Sequence, residues 1–232
     1  MSKFKNFGKR RETWGLQRAL YWELMHILRK YLGFSINYVI VGADLLRPGE
    51  RELPEVPEGY DTRVVGLTDL LPFVDTVPDF SKEFLEEAFA RGDECGANFH
   101  DGKLVGFGFA CRTRAPVTEQ LDVLVPPGFL YGYKGWMHPD HRRRNLSRMR
   151  GYVRFNTLPR PFEERSISYI ETHNYPSLLH SYVHPRLRGL RIGYVGWVTL
   201  FGRQIPFNSR GAKRIGFEFV KKSDTRIRQY VR

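Results

Sequence analysis

Met137-His138-Pro139-Asp140-His141-Arg142-Arg143-Arg144-Asn145-Leu146-Ser147 is the stretch on which the fold turns. A strand pattern, aromatic and partly buried, leads into it from Phe129 to His138, and Pro139-Asp140 ends that strand. A helical pattern leaves it, from Asn145 to about Asn156, with Leu146, Met149, Tyr152 and Val153 on one side. The first backbone N–H groups of a helix have no internal acceptors, and the helix dipole adds partial positive charge there. A diphosphate at such a helix mouth is held by main-chain donors, and Arg142, Arg143 and Arg144 add guanidinium charge. The glycines and the G-K-[ST] ending of a Walker-type nucleotide loop are missing, which disfavours that class.

Working upstream, Thr62 to Val65 reads as a strand, and Thr68 as the cap of a helix start. Phe80 to Arg91 reads as a second helical stretch. Cys95 to Phe99 and Leu104 to Cys111 are apolar runs joined across Asp101-Gly102, a hairpin signal. Downstream, Ser166 to Thr172 is a strand, Pro176 to Val183 a short helix, and Gly193–Phe201 with Ile215–Val220 a closing strand pair. A strand–helix–strand unit flanked by antiparallel pairs predicts a mixed sheet with helices packed on it.

The order and the central run resemble the GNAT acetyltransferase superfamily over roughly residues 61–220. In that family a strand ends in V-x-P and, two residues on, [QR]-x-x-G-x-[GA] opens a helix. Met137-His138-Pro139 stands for the first part and Arg142 to Ser147 for the second. Tyr169-Ile-Glu-Thr-His-Asn174 followed by Pro176-Ser177-Leu178 is similar to the family's fifth strand and its N-x-x-[AS] helix start. The resemblance implies an α/β (α+β) fold: a mostly antiparallel sheet of six to seven strands with helices on both faces and a central β-α-β unit. It further implies direct transfer of an acyl group from acetyl-CoA or another acyl-CoA to an amine, without metal. Trp136, Met137 and His138 would meet the thioester end. Arg142, Arg143, Arg144, Asn145, Leu146 and Ser147 would meet the pyrophosphate, and Asn174 and Ser177 would complete the cofactor contacts. Glu171 is the first candidate base, with Glu119, Asp122 and His138 behind it, and Tyr182 is the candidate acid. Two departures stand out: Asn145 and Ser147 replace the motif's glycines, and Tyr182 lies one residue beyond the family's usual tyrosine position.

Residues 1–36 form a basic arm outside the resemblance, 37–60 a strand and Pro/Glu-rich connector, and 223–232 a basic tail. The net charge is +12, and residues 1–34 hold eight Lys and Arg against two Glu. Residues 10–32 read as one amphipathic helix with Leu16, Leu20, Leu24, Ile27, Leu28 and Tyr31 on a stripe, and Gly33 as its stop. Its apolar face is expected to dock on the domain. The alternative lays it on anionic lipid, since Trp14, Trp22 and many cations suit an interfacial helix. Possible partners are therefore a small-molecule or peptide amine acceptor and, through residues 1–34, an anionic membrane or an acyl carrier protein. The latter would make a long-chain N-acyltransferase; an inactive basic binding protein on the same fold is a further alternative. No helix-turn-helix or RNP-like aromatic signature favours nucleic acid. The histidines, among them His138, His141, His173, His180 and His184, fit no common zinc spacing. Cys95 and Cys111 read as reduced core thiols and the expected compartment is the cytoplasm, at most peripheral on the inner face of a membrane.

Overall fold

The structure, a computed structural model, describes residues 2–45, 54–77, 80–158, 165–183 and 190–224. In chain order its elements are α1 (Ser2–Trp14), α2 (Leu16–Leu32), β1 (Ser35–Leu45), β2 (Tyr60–Val65), α3 (Leu67–Leu70), α4 (Lys82–Ala90), β3 (Glu94–His100), β4 (Lys103–Cys111), β5 (Arg114–Pro116), β6 (Leu121–Leu124) and β7 (Phe129–Met137). They continue with α5 (Leu146–Thr157), β8 (Arg165–Glu171), α6 (Tyr175–Val183), β9 (Leu190–Leu200), β10 (Arg203–Asn208), α7 (Arg210–Ile215) and β11 (Glu218–Lys221). The chain forms two compact units. One gathers Asp44–Thr113 and Val125–Ser168; the other gathers Met1–Ala43, Arg114–Leu124 and Tyr169–Arg232.

The first of these is built on the strand order β2-β3-β4-β7 and the start of β8. Asp101 (φ 50°) and Gly102 (φ 73°) supply the two left-handed residues that a tight hairpin between β3 and β4 requires, and Asp and Gly are suited to them. Along β4 the alternation Gly106-Phe107-Gly108-Phe109 makes two unlike faces. Phe107 and Phe109 are buried against Phe80 and Phe84, at ring separations of 4.6 and 5.0 Å. This pins α4, which Ser81 caps by accepting the Phe84 N–H at 3.2 Å. The glycine face is covered by α5 instead, so helices lie on both faces. Phe107 pairs with Trp136 but Phe109 with Tyr133, so β7 carries one extra residue, a bulge at Lys134 (φ 43°) and Gly135. β7 and β8 pair in parallel from Phe129–Arg165 to Tyr131–Ile167, with α5 as the crossover: the β-α-β unit expected. The neighbouring pairs β2–β3, β3–β4 and β4–β7 are antiparallel. Cys95 and Cys111 are buried free thiols, both pushed up to about 12 by burial. The first short helix starts at Gly66, whose N–H donates to Asp69 Oδ2 at 2.8 Å, so Thr68 lies inside it and is not the cap.

The other unit carries the end of β8, then β1, β9 and β10 in that order. β1 runs antiparallel to β9 from Ser35–Trp197 to Val41–Leu190 and is one strand more than the six to seven expected. β9 closes on β10 through Phe201 (φ 49°) and Gly202 (φ 73°). The expected pairing of Gly193–Phe201 with Ile215–Val220 is therefore overturned. Ser209 caps α7 through the Ala212 N–H, which uses residues 210–215, and β11 pairs with β6 in a separate three-stranded sheet. The single N-terminal helix is likewise corrected: Gly15 at φ 84° breaks it into α1 and α2. Gly33, left-handed at φ 51°, ends α2 as read from the sequence. Residues 46–53, 184–189 and 225–232, with most of the connector and His184, lie outside the described residues. Among the described residues, no helix is long and apolar enough to cross a membrane.

Candidate cofactor site

β7 ends at Met137, and the His138 N–H still belongs to the sheet, donating to the Val105 carbonyl at 2.9 Å. That backbone donor is therefore used within the sheet. Pro139–His141 then make one 3-10 turn, entered through His138, whose Nδ1 accepts the Asp140 N–H at 3.3 Å.

Beyond the turn the backbone alternates. Arg142 is extended (φ −70°, ψ 161°), Arg143 is left-handed (φ 64°), and Asn145 is left-handed again (φ 56°, ψ 8°) as the N-cap of α5. Left-handed residues at 143 and 145 re-aim the backbone N–H groups of the turn that leads into α5. Asn145 stands where the motif has its first glycine, and it adopts the conformation for which glycine is used. Asn is among the few other residues that do so at modest cost. Its side chain does not obstruct the mouth: Nδ2 donates to the Glu55 carbonyl at 3.2 Å. The Asn145 side chain makes no cap hydrogen bond to α5. The helix's first-turn N–H groups, which have no acceptor within the helix, therefore open at a surface where Asn145, Ser147 and Arg148 are exposed.

The arginines of the turn are exposed as well. Arg142 Nε donates to the Met137 carbonyl at 3.3 Å, and the Arg144 guanidinium lies 5.8 Å from the Tyr60 ring. Tyr60 also bonds His141 Nδ1 at 2.8 Å, and His100 and His138 lie 5.2 and 5.4 Å from the His141 ring. Burial first, then the neighbouring His100, His138 and Arg144, hold His141 below its ordinary value, so it is neutral near pH 7. Among the described residues no group of three His, Cys, Asp or Glu is placed to hold a metal.

A further cation sits beneath the mouth. Arg150, one turn along α5, lies over the glycine face of the hairpin, within 4 Å of where Cβ atoms on Gly96, Gly106 and Gly108 would be. Its Nη1 donates to Asn98 Oδ1 at 2.7 Å and its Nη2 to Ser147 Oγ at 3.2 Å. Burial pushes Arg150 down to about 10, which leaves it charged at neutral pH. Sequence reading missed Arg150 and its seat. The signal was present: Gly96 pairs with Gly108 and Asn98 with Gly106, so one face of the hairpin lacks side chains where a long one must lie. Leu146, by contrast, is buried in the core and offers the site only its backbone. Trp136 and Met137 are half-buried at the end of β7.

The remaining candidates belong to the other unit. Asn174 Oδ1 accepts the Ser177 N–H at 3.3 Å, so the N-x-x-[AS] pattern acts here as a helix cap on α6. Glu171 is engaged twice, by Arg29 in an ion pair and by His173 Nε2 at 3.5 Å. Glu171 and Asn174 line a cavity of about 410 Å³ together with Arg10, Trp22, Arg29 and His173. His173 is 8% exposed, its Nδ1 lacks a partner among the described residues, and burial, opposed by Glu171, holds it below its ordinary value. Asp122 is buried in an ion pair with Arg114, while Glu119 is exposed. The Tyr182 side chain lies outside the described ones.

No family model and no curated protein matches the chain. Solved structures do. A GCN5-related N-acetyltransferase from Kribbella flavida is 13% identical with a TM-score of 0.37, over 63% of this chain and 53% of that one. A tandem GNAT protein from the clavulanic acid biosynthesis pathway is 13% identical with a TM-score of 0.43, over 81% and 54%. A Salmonella typhimurium protein described as an acetyltransferase and solved with acetyl-CoA is 13% identical with a TM-score of 0.33, over 72% and 96%. The chain spans 58%, 63% and 53% of the first three structures it matches. The solved structures to which this chain is similar thus include GNAT-family acetyltransferases, at low sequence identity.

Proposed function

We propose that this chain is an acyl-CoA-dependent N-acyltransferase that moves an acyl group from CoA to an amine. What supports the reading is the mouth of α5: a left-handed Asn145, a first turn without a cap from the Asn145 side chain, and Arg142–Arg144 around it. These groups fit a diphosphate in charge and in donors. The main-chain N–H groups from 143 to 147 would hold its oxygens, Arg142 and Arg144 would flank it, and Arg150 would add charge from below through its contact with Ser147. Acyl-CoA, when bound, supplies the thioester carbon that an amine can attack. The His138 side chain, at the end of β7 with Nδ1 accepting the Asp140 N–H, would orient groups at that end of the site through its other ring nitrogen.

Isothermal titration of the pure protein with CoA and acetyl-CoA tests the reading. Saturable binding is expected, and Arg142→Ala with Arg144→Ala should weaken it about tenfold or more, each tenfold being about 1.4 kcal/mol. Both side chains are exposed, so the melting temperature should stay unchanged. Absence of binding in the parent protein, or equal affinity in the double variant, contradicts the proposal.

A further inference from the structure

The N-terminal helix α2 has two apolar faces, and only one is used. Ala19 and Met25 are buried, and Tyr21 bonds Thr172 Oγ1 at 2.6 Å, which fixes how the helix sits within its unit. The stripe expected to dock is turned outward. Leu16, Leu20, Leu24 and Ile27 are each 50–54% exposed, and Tyr31 is 71% exposed. Five large side chains at spacings of three and four form one continuous band along a 17-residue helix. The band has a neighbour. Gly33, directly after α2, lies against Thr199, and Thr199 Oγ1 donates to the Gly33 carbonyl at 3.3 Å. Thr199 leads into the β9–β10 turn, where Leu200 is 46% exposed and Phe201 wholly so. An apolar strip with a projecting aromatic is unlike a surface that remains in water.

We infer that this face, the outer stripe of α2 with Leu200 and Phe201, docks on an anionic lipid surface. The occupant follows from charge. Lys30, whose Nζ lies 5.2 Å from the Tyr31 ring, and Arg203, close to Phe201 in the chain, are exposed beside the band, whereas Arg10 and Arg29 are paired with Glu23 and Glu171. Leucines and a phenylalanine among cations match acyl chains beneath negative headgroups. A second copy of the chain would bring the same cations face to face, which costs energy. With no helix among the described residues able to span a bilayer, the contact is interfacial. The inference is independent of the CoA reading, since none of these residues belongs to the α5 mouth.

Flotation of the full chain with vesicles tests it, using phosphatidylcholine alone and phosphatidylcholine with phosphatidylserine. The protein should float with the anionic vesicles, far less with the neutral ones, and less as salt rises. Leu20→Glu with Leu24→Glu should cut binding at least tenfold while circular dichroism and CoA titration stay unchanged, because both side chains face outward. Phe201→Ser, on a different element, should also weaken flotation. Failure of the parent to bind anionic vesicles overturns the inference. So does flotation that the two-glutamate variant leaves intact. A concentration-dependent dimer in light scattering that the glutamates dissolve, without vesicle binding, assigns the face to a second copy and overturns it too.

Discussion

At the scale of single residues, the site depends on whether asparagine can take the place of glycine at position 145. Asn145 holds φ 56°, a region that costs an ordinary L-residue roughly 1–2 kcal/mol. Asn145→Gly should keep CoA affinity within about threefold, since glycine takes this conformation without strain. Asn145→Val should lower affinity about tenfold and reduce the melting temperature, because a β-branched residue pays the full penalty; equal binding by the Val variant would disprove the left-handed requirement. Arg150 makes a second residue-scale claim. Arg150→Met keeps most of the side-chain volume over Gly96, Gly106 and Gly108 but removes the charge below Ser147. Titration should show CoA affinity falling by roughly threefold to tenfold, the scale of a partly screened charge. An unchanged Kd would make Arg150 purely a packing residue.

At the scale of elements, legibility tracked locality. The β3–β4 hairpin was plain because Asp101-Gly102 specifies its own turn, and the start of α5 was plain because a proline, a basic turn and an apolar period follow one another. Arg150 was not, since its seat exists only once Gly96 and Gly108 are brought opposite each other by pairing. Nor was the insertion of β1 beside β9, a partnership between distant parts of the chain, from Ser35 to Trp197. The stripe on α2 was read correctly as apolar but its direction was not, because periodicity finds a face without saying what meets it. The end of α2 offers a direct check. A Cβ on Gly33 would stand 2.3 Å from Thr199 Oγ1 in a left-handed backbone. Gly33→Ala should therefore destabilise the protein by about 1–3 kcal/mol in urea unfolding, from overpacking and strain together. A neutral outcome would show that α2 does not rest on β9 as described.

For the whole molecule, pH offers a reading across both units. His141 and His173 are each held below their ordinary value, chiefly by burial. The unfolded chain then binds more protons than the folded one once pH falls below about 6.5, the unperturbed value. Their contribution is whole above that pH and is lost as pH falls through 6.5 toward the folded values. The urea midpoint should drop between pH 7 and pH 5, and replacing both by Gln should flatten that dependence; an equal slope in the variant would assign it to other groups. A charged helix mouth and an outward apolar helix make different demands on the molecule, one for a phosphate-bearing small molecule and one for a surface. The first carries the catalytic reading. A crystal structure of the protein with CoA measures it most directly: diphosphate oxygens should lie about 3 Å from main-chain nitrogens between residues 143 and 147. A diphosphate bound elsewhere, with those N–H groups facing only water, would contradict it.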